Sequence, residues 1–172
     1  MKLIKKIYNF PSELYLSFYL EFGKFEKIEL ICNKRLKKDK KDFIALFFLM
    51  YGFGYRKEYE KARSVFYSMM EIMPLSKKTK KYFITDIINL GIKNKKYDYV
   101  KKDCNNLLEN EKDFELRKIL KRILCEVYYY EWDFDKLRKL CSELMEEYSG
   151  DSDIKYFTEE YLKAVIKENK NV

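Results

Sequence analysis

Four cysteines (32, 104, 125 and 141), no histidine, and lysine-rich runs at 34–41 and 77–81 are the residues of this chain whose types could do chemistry. The cysteines form no Cys-x-x-Cys pair, and a zinc site built without histidine needs thiolates to converge from distant segments. The spacing gives no reason for such convergence. Their expected role is that of small core hydrophobes in a reducing compartment, with no metal and no cofactor. A thiol nucleophile would also lack the imidazole that activates it. Paired carboxylates remain, such as Glu13 with Glu126, but nothing in the spacing makes them meet. The chain is therefore expected not to be an enzyme.

The lysines offer a different chemistry. Lys37, Lys38, Lys40 and Lys41 form one cluster, and Lys77, Lys78, Lys80 and Lys81 form another. Two such clusters on one edge would make a phosphate-binding strip. The formal net charge is +8, divided as +9 over residues 1–86 and −1 over residues 87–172. With 30 lysines and only 6 arginines, however, the chain is poor in the side chain that reads phosphate bidentately. A solvated edge is the plainer expectation. Tyr128-Tyr129-Tyr130 with Trp132 could stack bases. On a helix these side chains point in different directions, so packing is expected to claim one or two of them.

The elements that would position these residues read as helices throughout. Phe43 to Phe53 is almost wholly apolar, too long for an ordinary strand and too short to cross a bilayer. Asp42 bounds it on one side; Gly52, Gly54 and Arg56-Lys57 are expected to break it on the other. A second helix follows, with Tyr59, Ala62, Val65, Phe66, Met69 and Met70 on one face, and Pro74 is expected to stop it. A helix pair with a short link packs antiparallel.

The second half of this hairpin recurs. Phe25, Tyr59, Tyr97 and Phe134 lead four segments at spacings of 34, 38 and 37. Ile28, Ala62, Val100 and Leu137 follow three residues on, then Cys32, Phe66, Cys104 and Cys141, then Leu36, Met70, Leu108 and Met145. Repeats of this period signal a stacked array. Tyr59-x-x-Ala62-x-x-x-Phe66 with the later Pro74 resembles the second half of a tetratricopeptide repeat, and 34 is that family's period. The resemblance covers about residues 11–149. Met50, Ile88 and Cys125 stand where the family's first helix has glycine.

The resemblance implies an all-α, right-handed superhelical stack of about four helix-turn-helix hairpins. The units fall at about 11–38, 42–76, 79–112 and 114–149, and a capping helix at 151–168 closes the array. The expected helices within them are about 11–22, 24–36, 80–92, 97–109, 114–130 and 134–148 besides the central pair, with Gly23 turning the first hairpin and Gly150 ending the last. Residues 1–10 read as a lead-in with the charge of a targeting peptide but no apolar h-region. With no transmembrane segment, a single cytoplasmic domain is expected, without membrane insertion.

In the tetratricopeptide family the first helices line a concave groove. Carried onto this sequence, the groove comprises Glu13, Ser17, Leu20 and Glu21, then Phe47 and Tyr51, then Thr85 and Asn89, then Arg122, Glu126, Tyr129 and Tyr130. Aromatic walls beside hydrogen-bonding groups suit an extended or helical peptide. Glu13 and Ser17 stand where the family's carboxylate clamp needs Lys and Asn, so that partner class is not implied. The resulting expectation is a non-enzymatic protein- or peptide-binding scaffold, with a small chaperone as a special case. The alternative is a nucleic-acid-associated protein using the basic N-terminal edge.

Overall fold

Asp42, Ser76, Asp113 and Asp133 each stand one residue ahead of a helix and accept a hydrogen bond from the amide three residues on, at 3.0, 3.2, 2.8 and 3.2 Å. Each satisfies one of the donors that a helix N-terminus leaves open. The computed structural model describes residues 11–72 and 76–169. The lead-in 1–10, the stop at Pro74 with its link, and the tail 170–172 lie outside the described residues. Among the described residues there are nine helices and no strand: α1 (Pro11–Glu21), α2 (Phe25–Lys38), α3 (Phe43–Tyr55), α4 (Tyr59–Ile72), α5 (Lys77–Lys93), α6 (Tyr97–Asn110), α7 (Phe114–Tyr130), α8 (Phe134–Glu147) and α9 (Ser152–Asn169).

The chain divides into two units, residues 1–96 and 97–172. In the first, α1, α3 and α5 pack side by side, while α2 packs on α1 and α3, and α4 packs on α3 and α5. Leu16, Ile28, Cys32, Ala45, Phe48 and Leu49 form one buried cluster where α1, α2 and α3 meet. In the second unit each helix packs on the next, from α6 to α9.

Four turns between consecutive helices share one backbone. Gly23, Lys57, Lys95 and Trp132 all have left-handed φ, at 64°, 63°, 55° and 61°. In each turn the next residue's amide reaches back five positions: Lys24 to Tyr19 at 2.8 Å, Glu58 to Phe53, Lys96 to Gly91 and Asp133 to Tyr128, each at 2.9 Å. This is the Schellman closure of a helix C-terminus. Two residues after each left-handed position comes Phe25, Tyr59, Tyr97 or Phe134. Seven residues before it comes Leu16, Met50, Ile88 or Cys125, every one fully buried. The backbone thus repeats in the register of the side-chain columns.

The columns themselves hold with one shift. Ile28, Ala62, Val100 and Leu137 are fully buried, and so are Cys32, Cys104 and Cys141, with Phe66 nearly so. In the last column Leu36, Met70 and Leu108 are only half-buried and Met145 is exposed. The preceding residues Met69 and Leu144 take the interior in their place.

Two glycine readings need correction. Gly52 and Gly54 do not break α3, which runs on to Tyr55. They mark close approach. A Cβ on Gly54 would lie 2.7 Å from Leu90 Cδ1, and one on Gly52 would touch Ile28 at 3.6 Å. Gly150 does not close α8: the helix stops at Glu147, with Tyr148 donating its amide to Leu144, and Gly150 is not left-handed.

Candidate functional site

Counting back from each left-handed turn residue locates the groove columns. Ten positions before it are Glu13, Phe47, Thr85 and Arg122; six before are Ser17, Tyr51, Asn89 and Glu126. Tyr129 and Tyr130 lie on the last turn of α7. Six of these residues belong to the first unit and four to the second.

In the first unit the Phe47 ring lies between Tyr51 (centroids 4.8 Å apart) and Phe83 (5.8 Å, edge-on), with Phe43 at 6.2 Å. The Tyr51 hydroxyl donates to Asp86 on α5. Burial pushes the Tyr51 phenol pKa up, and its hydrogen bond to the Asp86 carboxylate and that group's charge push it further. Thr85 donates back to Lys81 of its own helix at 2.9 Å. Asn89 is exposed, with its amide presented to solvent, and Ser17 is half-buried. Glu13, by contrast, is 2% exposed, and its Oε2 has no hydrogen-bond partner among the described residues.

In the second unit the Arg122 guanidinium lies 4.6 Å from the centre of the Phe157 ring on α9. Tyr129 meets Tyr161 edge-on at 5.4 Å. Tyr130 lies nearly parallel to Tyr97, at 14° and 5.9 Å, and its hydroxyl makes a long 3.4 Å bond to Glu126. The Tyr130 phenol is pushed up first by the Glu126 charge and then by burial; Tyr161 is raised by burial and then by Glu126. Tyr129 is half-buried and Tyr130 exposed, so the triple tyrosine divides between packing and surface.

The contacts follow the repeat. Tyr51 with Asp86, and Arg122 with Phe157, each join residues 35 positions apart on neighbouring odd-numbered helices. Tyr51 and Arg122 therefore each tie together two helices of their own unit. Glu13 and Glu126 belong to different units.

The cysteines are interior. All four are free and fully buried. Burial pushes the Cys32 thiol up to about 12, and it also raises Cys104. Cys125 and Cys141 meet at 4.0 Å, where their hydrogen bond and burial raise Cys125. A side chain the sequence did not single out is Lys121, buried on α7 with Nζ 2.5 Å from Glu147 and 3.7 Å from Glu143. Standing next to Arg122 in the chain, it reads as half of a solvated basic pair and gives no local sign of burial.

The lysine clusters fall on one edge of the first unit. The Phe43–Phe83 and Tyr51–Asp86 contacts set α3 and α5 parallel, so the chain leading into α3 and the first turn of α5 lie at the same end. Lys37, Lys38, Lys40, Lys41, Lys77, Lys78 and Lys80 are exposed and Lys81 is half-buried. No ion pair joins any of the eight to a described acid. Asp42, the nearest buried-side acid, is taken by Arg35 at 2.7 and 3.1 Å. Burial alone would raise the Asp42 pKa, but the Arg35 hydrogen bonds and the Ala45 amide hold it below the usual range. Asp39 accepts the Lys41 amide at 2.9 Å.

No family model, curated protein or solved structure matches the chain.

Proposed function

We propose that the chain is a non-enzymatic, cytoplasmic, tetratricopeptide-like scaffold that receives a protein segment on the outward side of its odd-numbered helices. One contrast carries this reading. The interior columns stay apolar from repeat to repeat, whereas the two outer columns change chemistry: Phe47, Thr85 and Arg122 in one, its first member Glu13 being buried, and Ser17, Tyr51, Asn89 and Glu126 in the other. Packing favours sameness at equivalent positions; recognition requires difference. In the first unit the half-buried rings of Phe47 and Tyr51 supply rigid apolar wall and the exposed Asn89 a hydrogen-bonding group; in the second, Tyr129 supplies the ring and the exposed Tyr130 the hydroxyl. Burial makes the Cys32 and Cys104 thiols hard to ionise, which weighs against a nucleophilic role for these two.

A displayed peptide library selected on the full chain tests this directly. Recovered binders are expected to lose roughly tenfold in affinity on Asn89→Ala or on Tyr130→Ala, the scale of an anchoring contact. Binders that keep full affinity for both variants place recognition elsewhere and defeat the assignment.

A further inference from the structure

Among the described residues, four large apolar side chains are left open together on α1, away from Glu13 and Ser17 on the same helix. Leu14, Tyr15, Phe18 and Phe22 are 60%, 64%, 54% and 60% exposed. Their spacing puts them on one helical face, opposite the fully buried Leu16, and the Phe18 and Phe22 rings lie only 4.2 Å apart. Leu30 of α2 adds a further exposed side chain. Four adjacent large apolar residues exceed the scattered exposure that needs no explanation. The last described helix, α9, also exposes Tyr156 and Ile166, but sets Lys155, Glu160, Lys163 and Lys167 among them.

Charge says what this face fits. The Gly23 turn folds α2 antiparallel to α1, so the last turn of α2 runs past the start of α1. Exposed Lys34, Lys37 and Lys38 stand there, followed by Lys40 and Lys41, with the α5 lysines on the same edge. The acids do not neutralise this end. Asp42 is held by Arg35 and Glu29 by Arg56, while Glu21 and Glu26 lie at the opposite end, beside the turn. Asp39 sits within the run, the exposed Glu71 lies in the last turn of α4 and the buried Glu13 in the first turn of α1, three acids against eight exposed lysines (34, 37, 38, 40, 41, 77, 78 and 80).

The geometry points to an anionic lipid surface as the occupant of this end of the molecule. Leu14, Tyr15 and Phe18 enter the headgroup boundary, and the unpaired lysines lie in its negative field. Lysine ammonium groups are point charges suited to a diffuse field of headgroups. Exposed leucines gain nothing from phosphate or base stacking but do gain from acyl chains. Among the described residues no helix is long and apolar enough to cross a membrane, so attachment is peripheral. The inference stands apart from the peptide groove, and either can fail alone.

The test is co-sedimentation of the full chain with vesicles of phosphatidylcholine alone or mixed with phosphatidylglycerol, at low and high salt. Partition onto the mixed vesicles only is expected, weakening as salt rises. Lys37→Glu with Lys38→Glu is expected to reduce it by about tenfold or more. Tyr15→Ser with Phe18→Ser is expected to abolish the fraction that survives salt, with helical circular dichroism unchanged because both side chains are exposed. Failure to partition overturns the proposal, as does partition indifferent to both double variants. A dimer that the α1 variant turns into monomer would make a second copy the occupant. Salt-sensitive binding to duplex RNA or DNA without vesicle binding would make it a nucleic acid.

Discussion

Gly54 shows how one residue joins two hairpins. Its missing side chain lets Leu90 lie against α3, and Asn94 of the following turn donates to the Gly54 carbonyl at 3.2 Å. Alanine in a helix gains about 0.5–1 kcal/mol over glycine, but forcing a methyl into a filled core costs about 1–3 kcal/mol. Gly54→Ala is therefore expected to lower the urea midpoint. In a Leu90→Ala background the same change is expected to raise it, because the obstructing carbons are gone. Equal effects in both backgrounds would mean that Leu90 does not decide the site. The local pattern of Gly52 and Gly54 reads as a break because a glycine needed for close approach looks the same in sequence as one that ends a helix. The neighbour that distinguishes them is 36 positions away. A similar separation, 35 positions, hid Asp86 from Tyr51 and Phe157 from Arg122.

The elements were far more legible. Asp42 bounded the helix that follows it, the apolar period defined which face turns inward, and α7 was placed at its observed bounds. The start of α5 was not. It was expected at about residue 80, whereas the Ser76 cap opens the helix at Lys77, even though lysines there oppose the positive end of the helix dipole. The turns carry a prediction of their own. Lys57 and Lys95 occupy a left-handed conformation that costs a residue with a side chain about 1 kcal/mol or more. Lys57→Gly and Lys95→Gly are each expected to stabilise by about 0.5–1 kcal/mol, after allowing for the greater freedom of glycine in the unfolded chain. Gly23→Ala is expected to destabilise by about 1 kcal/mol at the equivalent turn. Denaturant midpoints of the three variants check the signs.

Across the whole chain, acid stability follows from how the carboxylates are partnered. Hydrogen bonds from lysine lower Asp133 and Asp151, and Arg35 with the Ala45 amide outweighs burial to lower Asp42. A folded pKa below the unfolded one means that the unfolded chain takes up protons first as pH falls. The stabilisation is complete above about pH 4 and is lost as pH drops through the depressed folded values. Melting temperature is expected to fall over that window, and less steeply for Asp42→Asn, which keeps a side-chain oxygen for the Ala45 amide but cannot titrate. Identical slopes would remove Asp42 from the acid response.

Backbone chemical shifts in solution at Gly23, Lys57, Lys95 and Trp132 test most directly that the chain is built from four equivalent hairpins. Left-handed φ at all four, each between helical segments, is the expected result. Any one of them in extended or right-handed geometry would contradict the common turn, and with it the register from which the groove columns are counted.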